Sequence, residues 1–127
     1  MSKRTEVTNA LLRIVEEAVP SVPWSVNITG SNVSKNIEGT VSCDRVLFDQ
    51  QARDLIIATA TFSVYVVDMG ASAQIEDIGD ALFSALNNSD LDGTCLRCDV
   101  NSIIYGAPRG NSKAMAMLIE VVAEYYV

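Results

Sequence analysis

The 127-residue sequence contains no histidine, only three cysteines and three prolines, and aromatic residues make up just 6% of it. The missing histidine removes the commonest general base and excludes a serine triad of the usual kind. It also leaves Cys43, Cys95 and Cys98 as the only soft metal ligands, one short of a four-ligand structural zinc site. Basic residues are scarce: nine Lys and Arg against sixteen Asp and Glu give a net charge of -7, so the electrostatic footprint of a nucleic-acid binder is missing. Long apolar runs are lacking too. In MSKRTEVTNALLRIVEEAVP, Arg13, Glu16 and Glu17 interrupt the apolar positions, which excludes a signal-peptide core and a membrane span there. The expectation is a chain kept in a reducing cytoplasm, where the cysteines need not pair and the sequons at Asn27 and Asn32 are accidental.

What is present suits one folded α+β domain spanning residues 1–127: 49% hydrophobic residues, 20% charged residues and a mean hydropathy of +0.22. That hydropathy is high for a soluble monomer and raises the expectation of a subunit interface. Thr5 is a candidate cap for a helix carrying Val7, Leu11, Ile14, Val15 and Ala18 on one stripe, ended by Pro20 and Pro23. Trp24–Ile28 reads as a short strand. Residues 29–50 read as an extended loop or irregular hairpin arm with a strand near Thr40–Phe48. The alternation in RDLIIATATFSVYVVD, residues 53–68, predicts a strand, broken by Gly70. Ser72 would cap a second helix with an Ile75, Ile78, Leu82, Leu86 stripe, and NNSDLDG would end it. Two strands follow, near 95–105 and 112–127, joined at GAPRG. The expected fold is a mostly antiparallel sheet of four to five strands with both helices on one face.

Four motifs invite chemistry. CLRC, residues 95–98, has the spacing of a redox or zinc pair, but DVNSIIY after it runs into a strand rather than a helix. Strand alternation would place Cys98 in the core with Val100 and Ile104, and Cys95 outside with Arg97 and Asp99. Both cysteines are therefore read as packing residues. Glu76, Asp77 and Asp80 are read as a solvated helix face, and Asp90 and Asp92 as part of a turn lacking the ligand spacing of a calcium loop. GAPRG, residues 106–110, lacks both the spacing of a phosphate loop and a following helix, so it is read as a hairpin tip whose Arg109 could touch a partner. No catalytic residue, cofactor or metal is assigned.

The last strand, SKAMAMLIEVVAEYYV, is apolar on both sides. One face holds Met115, Met117, Ile119, Val121, Ala123 and Tyr125; the other holds Ala116, Leu118, Val122 and Tyr126 beside Glu120 and Glu124. Two helices cover one side of such a sheet. Either the 29–48 loop folds over the other side or a second copy does, and a cyclic homo-oligomer is the favoured expectation. Leu118, Val122, Tyr126 and Arg109 are the candidate interface residues.

This layout resembles the tail terminator, or tail completion, proteins of long-tailed bacteriophages: a helix ending in prolines, a long loop, ATATFSVYVVD, ASAQIEDIGDALFSALNNS, DVNSIIYG and the final strand, over nearly the whole chain. CLRC is not part of that pattern. The resemblance implies a non-enzymatic virion protein, assembled in the host cytoplasm, forming a ring typically of six subunits on the finished tail tube. Its partners would be the tail tube protein and a head completion or connector protein, with DNA passing through the hole without specific binding. An acidic lining suits that passage, and Glu38, Asp44 and Asp49 are candidate lumen-facing acids. The loop would serve as a docking arm. Two alternatives stand beside it: a head-tail connector component or tail tube subunit of similar form, and a small binding or redox domain using Cys95 and Cys98.

Overall fold

In the computed structural model, which describes residues 2–26, 37–69, 74–106 and 114–127, the first helix starts earlier than its spacing predicts. Helix α1 is Lys3–Ala18, and its cap is Ser2, whose hydroxyl accepts the Thr5 N–H at 3.2 Å. Thr5 lies inside the first turn because Ser2 already satisfies that donor. Val7, Ala10, Leu11 and Val15 form the buried stripe. Strand β1 (Trp24–Val26) follows the two prolines, which cannot prolong a helix.

Strand β2 is Ile37–Ala52 and β3 is Leu55–Asp68. They form a long antiparallel hairpin paired from Ile37 opposite Asp68 to Ala52 opposite Leu55, with irregularities between Cys43 and Arg45 and between Gln50 and Ala52. The strand anticipated near Thr40–Phe48 is thus longer at both ends. Gly39, Asp44, Asp49 and Gln50 disfavour a strand locally, but the continuous ladder to β3 fixes their backbone. Of the anticipated 29–50 arm, the part from residue 37 onward joins the sheet; residues 29–36 lie outside the described residues, as do Gly70, Ser72 and Arg109.

Helix α2 (Gln74–Leu86) buries Ile75, Ile78, Gly79, Leu82 and Leu86. Strands β4 (Arg97–Gly106) and β5 (Met115–Tyr126) complete a sheet of order β1-β2-β3-β5-β4, antiparallel except for the parallel β1–β2 pair. The α+β fold with five strands matches the expectation. Ala58, Ala60, Phe62, Val64 and Val66 of β3 and Met117, Ile119, Val121, Ala123 and Tyr125 of β5 form the buried sheet face beneath the helices. Each large side chain removed from water there contributes about 1.5–3 kcal/mol.

Two expectations around CLRC are corrected. Cys95 lies before β4 rather than in it, and it is buried, at 9% exposure. Leu91, Asp92 and Gly93 take left-handed backbone angles, and the Cys95 N–H bonds to the Asp90 carbonyl, so the turn folds the thiol inward. Cys98 is fully buried as expected. A bulge between Val100 and Ser102 then shifts the alternation, so Ile103 packs against the core and Ile104 is 60% exposed.

Candidate assembly surface

With both helices on one side, the opposite sheet face has no cover among the described residues. Alternation and register place Leu118, Val122 and Tyr126 of β5 on that face. Leu118 and Val122 are half-buried by their strand neighbours, and Tyr126 is exposed. Ile104, Leu118 and Tyr65 line up across three strands as an apolar row near one end. Farther along, the face is more polar than strand β5 alone suggests. Asp44 accepts hydrogen bonds from the hydroxyls of Ser42 and Ser63, and Asn101 donates to Glu120 at 3.3 Å.

The same register puts Glu38, Asp44 and Asp49 on this open face, together with Asp99, Glu120 and Glu124. Among the described residues only Arg45 and Arg97 oppose these six carboxylates there, and Arg97 is already paired with Asp99. The three acids picked from sequence thus share one face with three of the four picked interface residues. Arg109 lies outside the described residues.

The flanks of the sheet are only half closed, which the sequence did not reveal. β1 pairs with β2 at Gly39–Val41 alone, leaving the Cys43–Ala52 edge without a described strand partner. On the far flank, Ser89 bridges to Cys98 and the Asn87 side chain accepts the Val100 N–H at 3.2 Å. Among the described residues, Asn101–Gly106 is therefore the free half of β4. Both free stretches are the C-terminal parts of strands that run in opposite directions, so they sit at opposite ends of the sheet: Tyr105 is level with Met117, Val66 and Gly39, whereas Cys43–Phe48 is level with Phe62–Ala58.

A groove of about 550 Å³ opens beside the N-terminus of α1, lined by Lys3, Arg4, Cys43, Val46, Phe48 and Tyr125. Phe48 is 67% exposed. Lys3 reaches Glu6 at 3.8 Å, and Arg4 has no ion pair among the described residues. Burial raises the pKa values of the Cys43 thiol and the Tyr125 phenol, and the nearby Arg4 guanidinium partly opposes both shifts. Lys3-Arg4 is the one adjacent basic pair in this acidic chain, a signal that sequence reading could have used.

On the other flank, Glu76, Asp77, Asp80 and Phe83 form an exposed outer face of α2, and no described cation pairs with its acids. Burial raises the Tyr105 phenol, and Asp80 and Glu76 raise it further, which locates these two carboxylates beside the outermost strand.

Among the described residues, no three His, Cys, Asp or Glu side chains come together as a metal site, and no helix is long and apolar enough to cross a membrane. All three cysteines are free. Burial, with small additions from Cys95 and Asp99, pushes the Cys98 thiol up to about 12. Since the thiolate is the reactive form, Cys98 should resist alkylation at pH 8 in the folded protein and react at the rate of an ordinary thiol once urea unfolds it. Quantitative mass spectrometry of the labelled peptide checks this. The sign of the linkage follows: the unfolded chain releases this proton near pH 9 and the folded chain near 12, so the Cys98 contribution to stability is intact below about pH 9 and is lost as pH rises toward 12.

No family model matches the sequence, and no curated protein matches it. The fold is shared with a chain from the virion of the native gene transfer agent particle, at 14% identity and a TM-score of 0.66, covering 94% of this chain and 92% of that one. At that identity the likeness is one of fold.

Proposed function

We propose that this protein is a non-enzymatic structural component of a phage-like virion and, within that class, a tail terminator. It would form a ring on the end of the tail tube, stop its growth and offer a surface for joining the head. The observation that carries the reading is the sheet: among the described residues one face is uncovered, and each of two opposite flanks has an unpaired stretch of edge. Such a protomer can join the β4 edge of one copy to the β2 edge of the next. The contact is heterologous, and repeated rotation closes a ring. The stagger between the free halves supplies the shear that closing strands into a barrel requires.

The open face, expected from sequence to be the subunit interface through Leu118, Val122 and Tyr126, would in this arrangement line the hole instead. Its six carboxylates repel a DNA backbone, which lets DNA pass without adhering. The shared fold with a chain of a virion supports this class of role. A tail tube subunit would use the same edges but would stack without limit. Sedimentation velocity and negative-stain microscopy of the purified protein distinguish the readings: discrete rings are expected, long tubes would favour the tube subunit, and a monomer at every concentration would count against both. For the redox alternative, Cys95→Ser/Cys98→Ala should leave assembly and tail joining intact at some loss of stability. Loss of joining in a folded, assembling variant would revive it.

A further inference from the structure

The two flanks of this chain differ in charge as well as in shape. Around the N-terminus of α1 stand Lys3 and Arg4 over an apolar floor of Val46 and exposed Phe48. On the outer side of α2 stand Glu76, Asp77 and Asp80 with exposed Phe83. Within one chain these features cannot meet. They flank different ends of the sheet order, and Tyr105, which the acids adjoin, is level with Gly39 rather than with the groove at Cys43–Phe48.

We infer that the Lys3–Arg4 groove of one copy receives the Glu76–Asp80 face of α2 from the next copy. This contact rests on the ring reading and specifies what holds the ring together beyond backbone pairing. When the free half of β4, Asn101–Gly106, lies against the free half of β2, Cys43–Ala52, the stagger removes the level difference that separates the two features within one chain. Both helices lie on the same side of the sheet, so α2 of one copy arrives on the side where the groove of its neighbour opens. Phe83 then has an apolar floor to cover. The acids of α2 gain cations that no described residue of their own chain provides, and Arg4 gains a carboxylate. Self-association of a chain with net charge -7 is opposed by general repulsion. A local match of opposite charge offsets that repulsion at the contact and fixes its orientation, because pairing like flanks sets acid against acid or base against base.

The test is sedimentation velocity on the full chain, wild type against charge variants. Lys3→Glu/Arg4→Glu should raise the concentration for half-assembly about tenfold or more, and Glu76→Lys/Asp80→Lys should do the same. The quadruple variant carrying all four reversals should recover most of the loss. Acids in the first turn beside the Ser2 cap favour the helix, so the α1 variant is expected to keep its circular dichroism and melting midpoint. A failure to assemble is then not a failure to fold. Raising the ionic strength from about 0.1 M to about 1 M should weaken wild-type assembly, because screening shortens to a few ångströms. Variants that assemble like wild type, a quadruple variant no better than the doubles, or salt-independent assembly would overturn the contact while leaving the ring standing. A wild-type chain that stays monomeric at every concentration would overturn both.

Discussion

Replacing Phe62 with alanine should lower the unfolding free energy by about 3–5 kcal/mol, a large part of the roughly 5–15 kcal/mol available to a domain. Phe62 is fully buried at the centre of β3, opposite Cys43 on one side and Val121 on the other. The loss combines the transfer energy of the ring with the cavity it leaves. That cavity cannot collapse easily, because β3 is held by ladders to β2 and β5 along almost its whole length. Urea titration followed by far-ultraviolet circular dichroism measures the change. A loss below about 1 kcal/mol would mean that the helices do not rest on this part of the sheet as described.

The second large effect concerns Gly39, where β2 passes beneath Trp24. A Cβ at this position would strike the Trp24 ring and come within 2.8 Å of a Val22 methyl. Neither neighbour gives way cheaply. The indole N–H of Trp24 donates to the Val19 carbonyl at 3.0 Å, Val22 is buried, and Trp24 is the register partner of Gly39. Gly39→Val should therefore cost about 2–3 kcal/mol by overpacking, despite the better strand propensity of valine. Trp24 is the only tryptophan, so its fluorescence reports the event directly: a red shift in the folded variant marks the indole turned toward water. An unshifted spectrum with unchanged stability would show that the β1 segment adapts.

Much of this architecture could be read from residue order, because the strongest signals coincide with the elements that pack on both sides of one core face. The alternation from Leu55 to Asp68 and the α2 stripe at Ile75, Ile78, Leu82 and Leu86 describe their own burial. β2 was harder. Its inward residues are interrupted by Gly39 and by the irregularity near Asp44, so its period is broken where the backbone ladder holds it straight. The placements of Cys95 and Ile104 depended on a left-handed turn and a bulge, and both shift alternation by a geometry that composition does not encode. The three acids Glu38, Asp44 and Asp49 came to one face because the irregularity between Cys43 and Arg45 reverses the alternation: Glu38 before it and Asp49 after it differ in parity yet both face the open side, and Asp44 within it bonds to Ser63 there. The half-free edges were beyond sequence reading, since they arise from what Asn87, Ser89 and β1 happen to shield.

That shielding also bears on the interval between synthesis and assembly. Sheet edges left open along their full length recruit unrelated extended segments and seed aggregates. Here a helix-end asparagine and a three-residue strand each occupy one stretch of an outer strand, so among the described residues neither outer strand is open along its full length. In the proposed ring, a second copy offset by half a strand would set the open stretch of its β4 against the open stretch of β2, and a third would do the converse on the other flank. On that reading, partial shielding would disfavour adventitious strand addition before assembly while leaving room for a copy of the same chain.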